Sequence, residues 1–162
     1  MKRSLLLFVF TFFFIKGFTQ NQNISGVINI YTPVIQVGCN NVGIVSSSGF
    51  SVGDRVLLIQ MQGATVNQTN NSSFGSINNY NDCGNFEFAT IASISSNIIV
   101  FQFKILNSYT PSGNIQLIKV PTYTNVNVNG PLTCSTWNGS TGGVLALEVS
   151  GTLTLASNID VS

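Results

Sequence analysis

Proton transfer, metal binding and nucleophilic attack at neutral pH need particular side chains, and this chain carries few of them. Its 162 residues contain no histidine, so the commonest general base and metal ligand is missing. Ser-His-Asp and Cys-His arrangements are therefore impossible within these residues. Cys39, Cys83 and Cys134 stand far apart and form no Cys-x-x-Cys zinc pattern. Neither a phosphate-cradling Gly-rich loop nor a dinucleotide fingerprint occurs. Five carboxylates remain: Asp54, Asp82, Glu87, Glu148 and Asp160. Glycosidase-type acid–base chemistry would need two of them across one cleft, on the order of 5–10 Å apart. Asp82 and Glu87 are close in sequence, but Asp82 falls in a polar loop and Glu87 lies between two phenylalanines, which points it to water. Asp54 belongs to a Gly53-Asp54 turn, where Asp bonds local backbone. Glu148 and Asp160 fall on the polar side of an alternating segment. The expectation is a protein without catalytic residues, cofactor or metal.

Binding chemistry has a little more to work with. Trp137, in "CSTWNGSTGG", and the loop tyrosines Tyr80 and Tyr109 offer aromatic faces beside amides, a pattern suited to stacking on sugar rings. The competing reading packs Trp137 over the junction between two modules. Past the first 19 residues only Arg55, Lys104 and Lys119 oppose the five carboxylates. That balance leaves no basic patch for phosphates and disfavours nucleic acid. The partners it suits are surface glycans or other cell-surface proteins. An oxidising destination would allow one disulfide among Cys39, Cys83 and Cys134, in any of three pairings.

The elements that must position these residues are read from pattern. "MKRSLLLFVFTFFFIKGFTQ" has a basic start, an apolar run from Leu5 to Ile15, and small residues at Gly17 and Thr19. This is the form of a cleaved export signal over residues 1–19, and its run is too short for a bilayer core of ~30 Å. The mature chain then has no transmembrane anchor and is secreted or held at the cell surface. Beyond it, β-branched and aromatic runs alternate with Gly, Asn, Ser and Pro, which predicts an all-β protein. Residues 20–37 form an N-terminal strand segment. Residues 38–120 form a small antiparallel barrel or sandwich, with Val56–Ile59 buried on both faces. Its hairpin turns at Ser95-Ser96-Asn97 and lends Phe86, Phe88, Ile91 and Ile94 from one arm to the core, and Ile99, Phe101, Phe103 and Ile105 from the other. Residues 63–85 form a long polar loop. Residues 121–162 begin a β-solenoid-like or sandwich ladder, in which Asn125, Asn127 and Asn129 are placed for amide ladders. From Leu145 the odd positions are mostly apolar and the even ones mostly polar.

Taken as an ordered set, "GFSVGDRVLLIQMQGA", "GNFEFATIASI", "GNIQLIKVPTY" and "WNGSTGGVLALEVSGTLTLASNIDVS" carry a family likeness. Over residues 38–162 the chain resembles the N-terminal region of large secreted surface proteins of Bacteroidetes-type bacteria, gliding-motility-associated or type IX-secreted. The resemblance implies a β-rich continuation after Ser162 and brings no catalytic motif with it. The terminal ladder, with one apolar side, is expected to be the truncated start of a longer stack. The expected function is a non-catalytic exported adhesin or surface-structure component. The alternatives are the first part of an extracellular polysaccharide-active β-helix enzyme, or a carbohydrate-binding module.

Overall fold

A computed structural model describes residues 21–162. The export signal expected at residues 1–19 lies outside them. In chain order the strands are β1 (Gln22–Val27), β2 (Ile30–Val37), β3 (Asn41–Ile44), β4 (Arg55–Gln60), β5 (Thr65–Val66), β6 (Ile77–Asn79), β7 (Phe86–Ser95), β8 (Ile98–Phe101), β9 (Ile115–Lys119), β10 (Thr122–Tyr123), β11 (Val126–Thr133), β12 (Glu148–Val149) and β13 (Leu153–Leu155). The protein is all-β, as its composition predicts.

Six strands close into an antiparallel barrel in the order β2–β3–β8–β7–β4–β9. Side chains alternate across each strand, so Val56 and Leu58 point inward with Ile91, Ile99, Phe101, Ile115 and Leu117. Burying each such side chain contributes roughly 1.5–3 kcal/mol. The outward positions are not all wet. Leu57, Ile118 and Val120 form a second buried cluster against Val144 and Ala146 of the C-terminal segment. That second cluster is why the Val56–Ile59 run is apolar throughout: one face fills the barrel and the other packs on what lies beside it.

What lies beside it is a parallel stack. β1, β11 and β13 pair side by side with all strands parallel, and β10 pairs with β12 in the same sense. Asn125 Oδ1 accepts from the backbone N–H of Thr152, 27 residues on, and Ser150 returns to Tyr123 at the same spacing. A recurring offset of 27 is one coil of a solenoid. Asn127, in contrast, meets Asn23 across 104 residues, its Nδ2 donating to the Asn23 Oδ1. The barrel is thus inserted within the first coil: the chain leaves the stack after β1, builds the barrel, and rejoins it at β10. Ile24, Val126, Val128 and Leu132 fill the interior of the stack, with Leu145, Leu147 and Val149 packed onto them. At the corner before β13, Gly151 lies so close to the Thr124 carbonyl and the Asn125 side chain that a Cβ would collide with both.

Buried amides lock barrel to stack. Asn29 donates to the Lys119 and Ala146 carbonyls at 2.9 and 2.6 Å and accepts from the Ala146 N–H. The fully buried Gln116 exchanges two hydrogen bonds with Gly142. The Tyr31 hydroxyl donates to the Val144 carbonyl at 2.7 Å. Each amide takes the place of a missing strand partner, which satisfies backbone groups that burial would otherwise leave costly.

Several expectations need correction. The segment 20–37 is not a unit, because β1 belongs to the stack and β2 to the barrel. Phe86, Phe88 and Phe103 are exposed rather than core residues. Phe103 lies past the end of β8, and for Phe86 and Phe88 the cause is a bulge in β7, where the register against β8 slips between Ile91 and Ser93. Before the slip the odd positions face inward and after it the even ones do, so Ile91 and Ile94 pack inward while Phe86 and Phe88 face out. The hairpin turn itself has two residues, Ser96 and Asn97, with Ser95 paired to Ile98. The stretch 63–85 contains the short β5–β6 hairpin, held by Asx turns at Asn67, Asn71 and Asn79. The alternation from Leu145 does not mark one continuous wet-sided strand. Leu145 and Leu147 face the stack interior while Val144 and Ala146 face the barrel. The three thiols are free: Cys39 is exposed beyond β2, Cys83 half-buried in the 63–85 segment, and Cys134 buried after β11.

Candidate functional site

The five carboxylates have structural partners. Asp54 Oδ2 accepts from the Ser51 N–H at 2.7 Å and pairs with Lys119 Nζ at 2.8 Å, closing the turn into β4. Asp82 accepts from the Thr110 hydroxyl. Glu87 is half-buried and does not simply face water. Its two oxygens accept from the backbone N–H groups of Leu106 and Asn107, at 2.9 and 3.2 Å, and strap the 102–110 segment to β7. Asp160 accepts from the Ser162 N–H and hydroxyl, which hold its carboxyl below the usual range. Glu148 pairs with Arg55, Oε2 to Nε at 3.4 Å. Among the described residues no three His, Cys, Asp or Glu side chains gather as metal ligands.

The aromatic residues named from sequence differ in how their rings are covered. Tyr80 is exposed beyond the β5–β6 hairpin. Tyr109 packs against the barrel core, and its buried hydroxyl has no hydrogen-bond partner among the described residues. Burial first, and then the charge of Glu87, push its pKa up. Its ring is therefore not an open platform. Trp137 lines a cleft of about 280 Å³ at the end of the stack with Thr133, Cys134 and Val161. Neither tyrosine lines that cleft.

A different constellation is brought together. Arg55 opens β4 and pairs in register with Thr90 of β7, which sets its side chain beside Phe88. The guanidinium sits 5.2 Å from the Phe88 ring centroid, a cation–π contact, while its Nε holds Glu148 of the stack. Phe86 meets Phe88 edge-to-face at 6.5 Å. A small cleft on one side of Arg55 and Phe88 is bounded by Phe103, Lys104 and the strapped Glu87. On the other side a cleft of about 260 Å³ reaches Leu147 and Glu148. Glu148 also borders a third cleft with Tyr123, Thr124 and Ser150. The first two clefts share Arg55 and Phe88 and the last two share Glu148, so the three are neighbours and trace a broken groove from the barrel onto the stack. Nothing in the sequence pattern announces it, because Phe88 reads as core and Arg55 only as one of three basic residues.

Neither a protein-family model nor a curated protein sequence matches the chain. Similar solved structures include the gp54 tailspike of Acinetobacter baumannii bacteriophage AP22, solved in complex with A. baumannii capsular saccharide, at 14% identity and a TM-score of 0.44 over 85% of this chain and 24% of that one. The gp61 tailspike of Pseudomonas phage phi297 aligns at 12% identity and a TM-score of 0.42, over 87% of this chain and 24% of that one. The gp49 tailspike of Pseudomonas phage LKA1 gives 14% and 0.37, over 88% and 24%. The chain thus spans about a quarter of the length of each of these structures, at 24%. Identity and score are too low to carry any role across.

Proposed function

We propose that this chain is the N-terminal region of a non-catalytic, exported cell-surface protein of adhesin type. In this role the solenoid-like stack is the stalk and the barrel is a side-mounted head. The likeness of its motifs to secreted, gliding-motility-associated proteins of Bacteroidetes-type bacteria supports export to the surface. One observation carries the non-catalytic part: each carboxylate in the chain already holds a turn, a loop, a terminus or an ion pair. None of the four clefts described is lined by two carboxylates, the pair that glycoside hydrolysis requires.

The test has two arms. In a Bacteroidetes-type host producing the chain, external protease should remove it from intact cells. The purified protein should release no reducing ends from a panel of polysaccharides. Hydrolysis or lyase activity that disappears on Glu148→Gln or Asp82→Asn would overturn the non-catalytic reading, and a protein sheltered from the protease would overturn the surface location.

A further inference from the structure

The groove across the barrel–stack junction has a composition that selects among ligands. Its floor is aromatic, with Phe88 47% exposed and Phe103 80% exposed, and only the edge of the inward-packed Leu147 borders it. Its rim is polar, with Arg55, Lys104 and Glu148. Strand addition by a peptide is opposed at Phe88, because Phe86–Thr90 pair with β4 on one edge while the 102–110 segment lies along the other, the Gln102 N–H donating to the Thr90 carbonyl and Asn107 Nδ2 to the Phe86 carbonyl. Nucleic acid is disfavoured because Glu148 lies against Arg55 and leaves no run of cations to track phosphates. A sugar chain fits both surfaces, since each ring has a C–H face for an aromatic platform and a hydroxyl rim for paired donors and acceptors.

We propose that this groove binds a linear glycan containing uronic acid, lying across the junction from Lys104 to Tyr123. Phe88, covered by Arg55 on one face, takes a sugar ring on the other. Arg55 uses only Nε on Glu148 and keeps its remaining N–H groups for hydroxyls, while Glu148, more than half exposed, accepts from others. The acidic sugar belongs at the Lys104 end. Lys104 makes no ion pair among the described residues, and the neighbouring Glu87 is committed to the Leu106 and Asn107 N–H groups. Arg55 and Phe88 stand on strands, and the segment bearing Phe103 and Lys104 is strapped down by Glu87, so little order has to be imposed on binding. This goes beyond the surface role above, which does not depend on the groove being occupied.

The experiment is a titration of the isotope-labelled protein with two probes, oligogalacturonate and the neutral maltohexaose. Oligogalacturonate should shift the resonances of Arg55, Phe88, Lys104, Glu148 and Tyr123, and bind more tightly than maltohexaose. Phe88→Ala, at an exposed position, should leave the melting temperature close to wild type and weaken binding about tenfold or more, equivalent to ~1.4 kcal/mol. Lys104→Gln should erase the preference for the acidic probe while sparing maltohexaose. Failure of oligogalacturonate to bind, shifts confined to the Trp137 cleft or the β5–β6 hairpin, or binding indifferent to Phe88→Ala would each overturn the proposal. Protease removal of the protein from cells reads the surface role separately.

Discussion

The barrel and the stack are built from the same kinds of residue and bury them in opposite ways. Each barrel strand has two antiparallel neighbours, and residues such as Val56, Leu58 and Leu117 are fully enclosed. The stack grows by parallel addition instead. β13 has one strand partner, β11, and Leu155 beside it is 59% exposed. A closed sheet satisfies itself, whereas a stack is only as well covered as its next coil. Between the two, a buried apolar cluster and buried amides share the fit, the amides meeting loop backbone that has no strand partner.

The largest break in this comparison is expected in the barrel. Leu58→Ala should destabilise the protein by about 2–5 kcal/mol, read from denaturant unfolding, because an enclosed site collapses poorly around a cavity. A loss below ~1 kcal/mol would mean the barrel is loosely packed.

Next comes the junction. Asn29→Ala leaves two carbonyls and one N–H without partners and should cost about 2 kcal/mol. It should also separate the unfolding of stack and barrel when each is followed by its own probe. Unchanged cooperativity would show that apolar contact alone holds them.

Alkaline pH should act on both regions together. Burial pushes the hydroxyls of Tyr31, Tyr109 and Tyr123 above the ordinary value of 10.0. The folded state therefore keeps protons that the unfolded chain releases, so stability is intact below pH 10 and falls as pH rises above it. Phe at position 109 should blunt the fall. A flat profile above pH 10 would contradict the burial of these rings.

The smallest effect is expected at the stack's outer strand. Leu155→Ser should change stability by less than about 0.5 kcal/mol, since the side chain has little packing to lose. A larger loss would mean that something covers it.

How much of this was legible in the sequence follows from which interactions are local. The β4 run and a hairpin near Ser95-Ser96-Asn97, one residue longer than the turn the chain makes, announce themselves through short apolar runs between turn residues. The burial of Val56–Ile59 on both faces was equally plain, since no residue in the run is polar. The bulge that turns Phe86 and Phe88 outward was hidden, because a one-residue slip leaves the apolar count of β7 unchanged. The insertion of the barrel within a coil was hidden too. Its signal is the meeting of Asn23 with Asn127, and nothing in either segment's own pattern names the other. The groove was missed for the same reason, since Arg55, Phe88 and Glu148 come together only through barrel closure and stacking.

The most direct test of the inserted-barrel architecture is a set of through-space NMR contacts between the first and second coils. The account predicts methyl contacts between Ile24 and Val128 and amide contacts between Asn23 and Asn127, alongside the Leu58–Leu117 contact inside the barrel. A protein showing the Leu58–Leu117 contact without any between Ile24 and Val128 would contain the barrel but not the stack, and the account would fail.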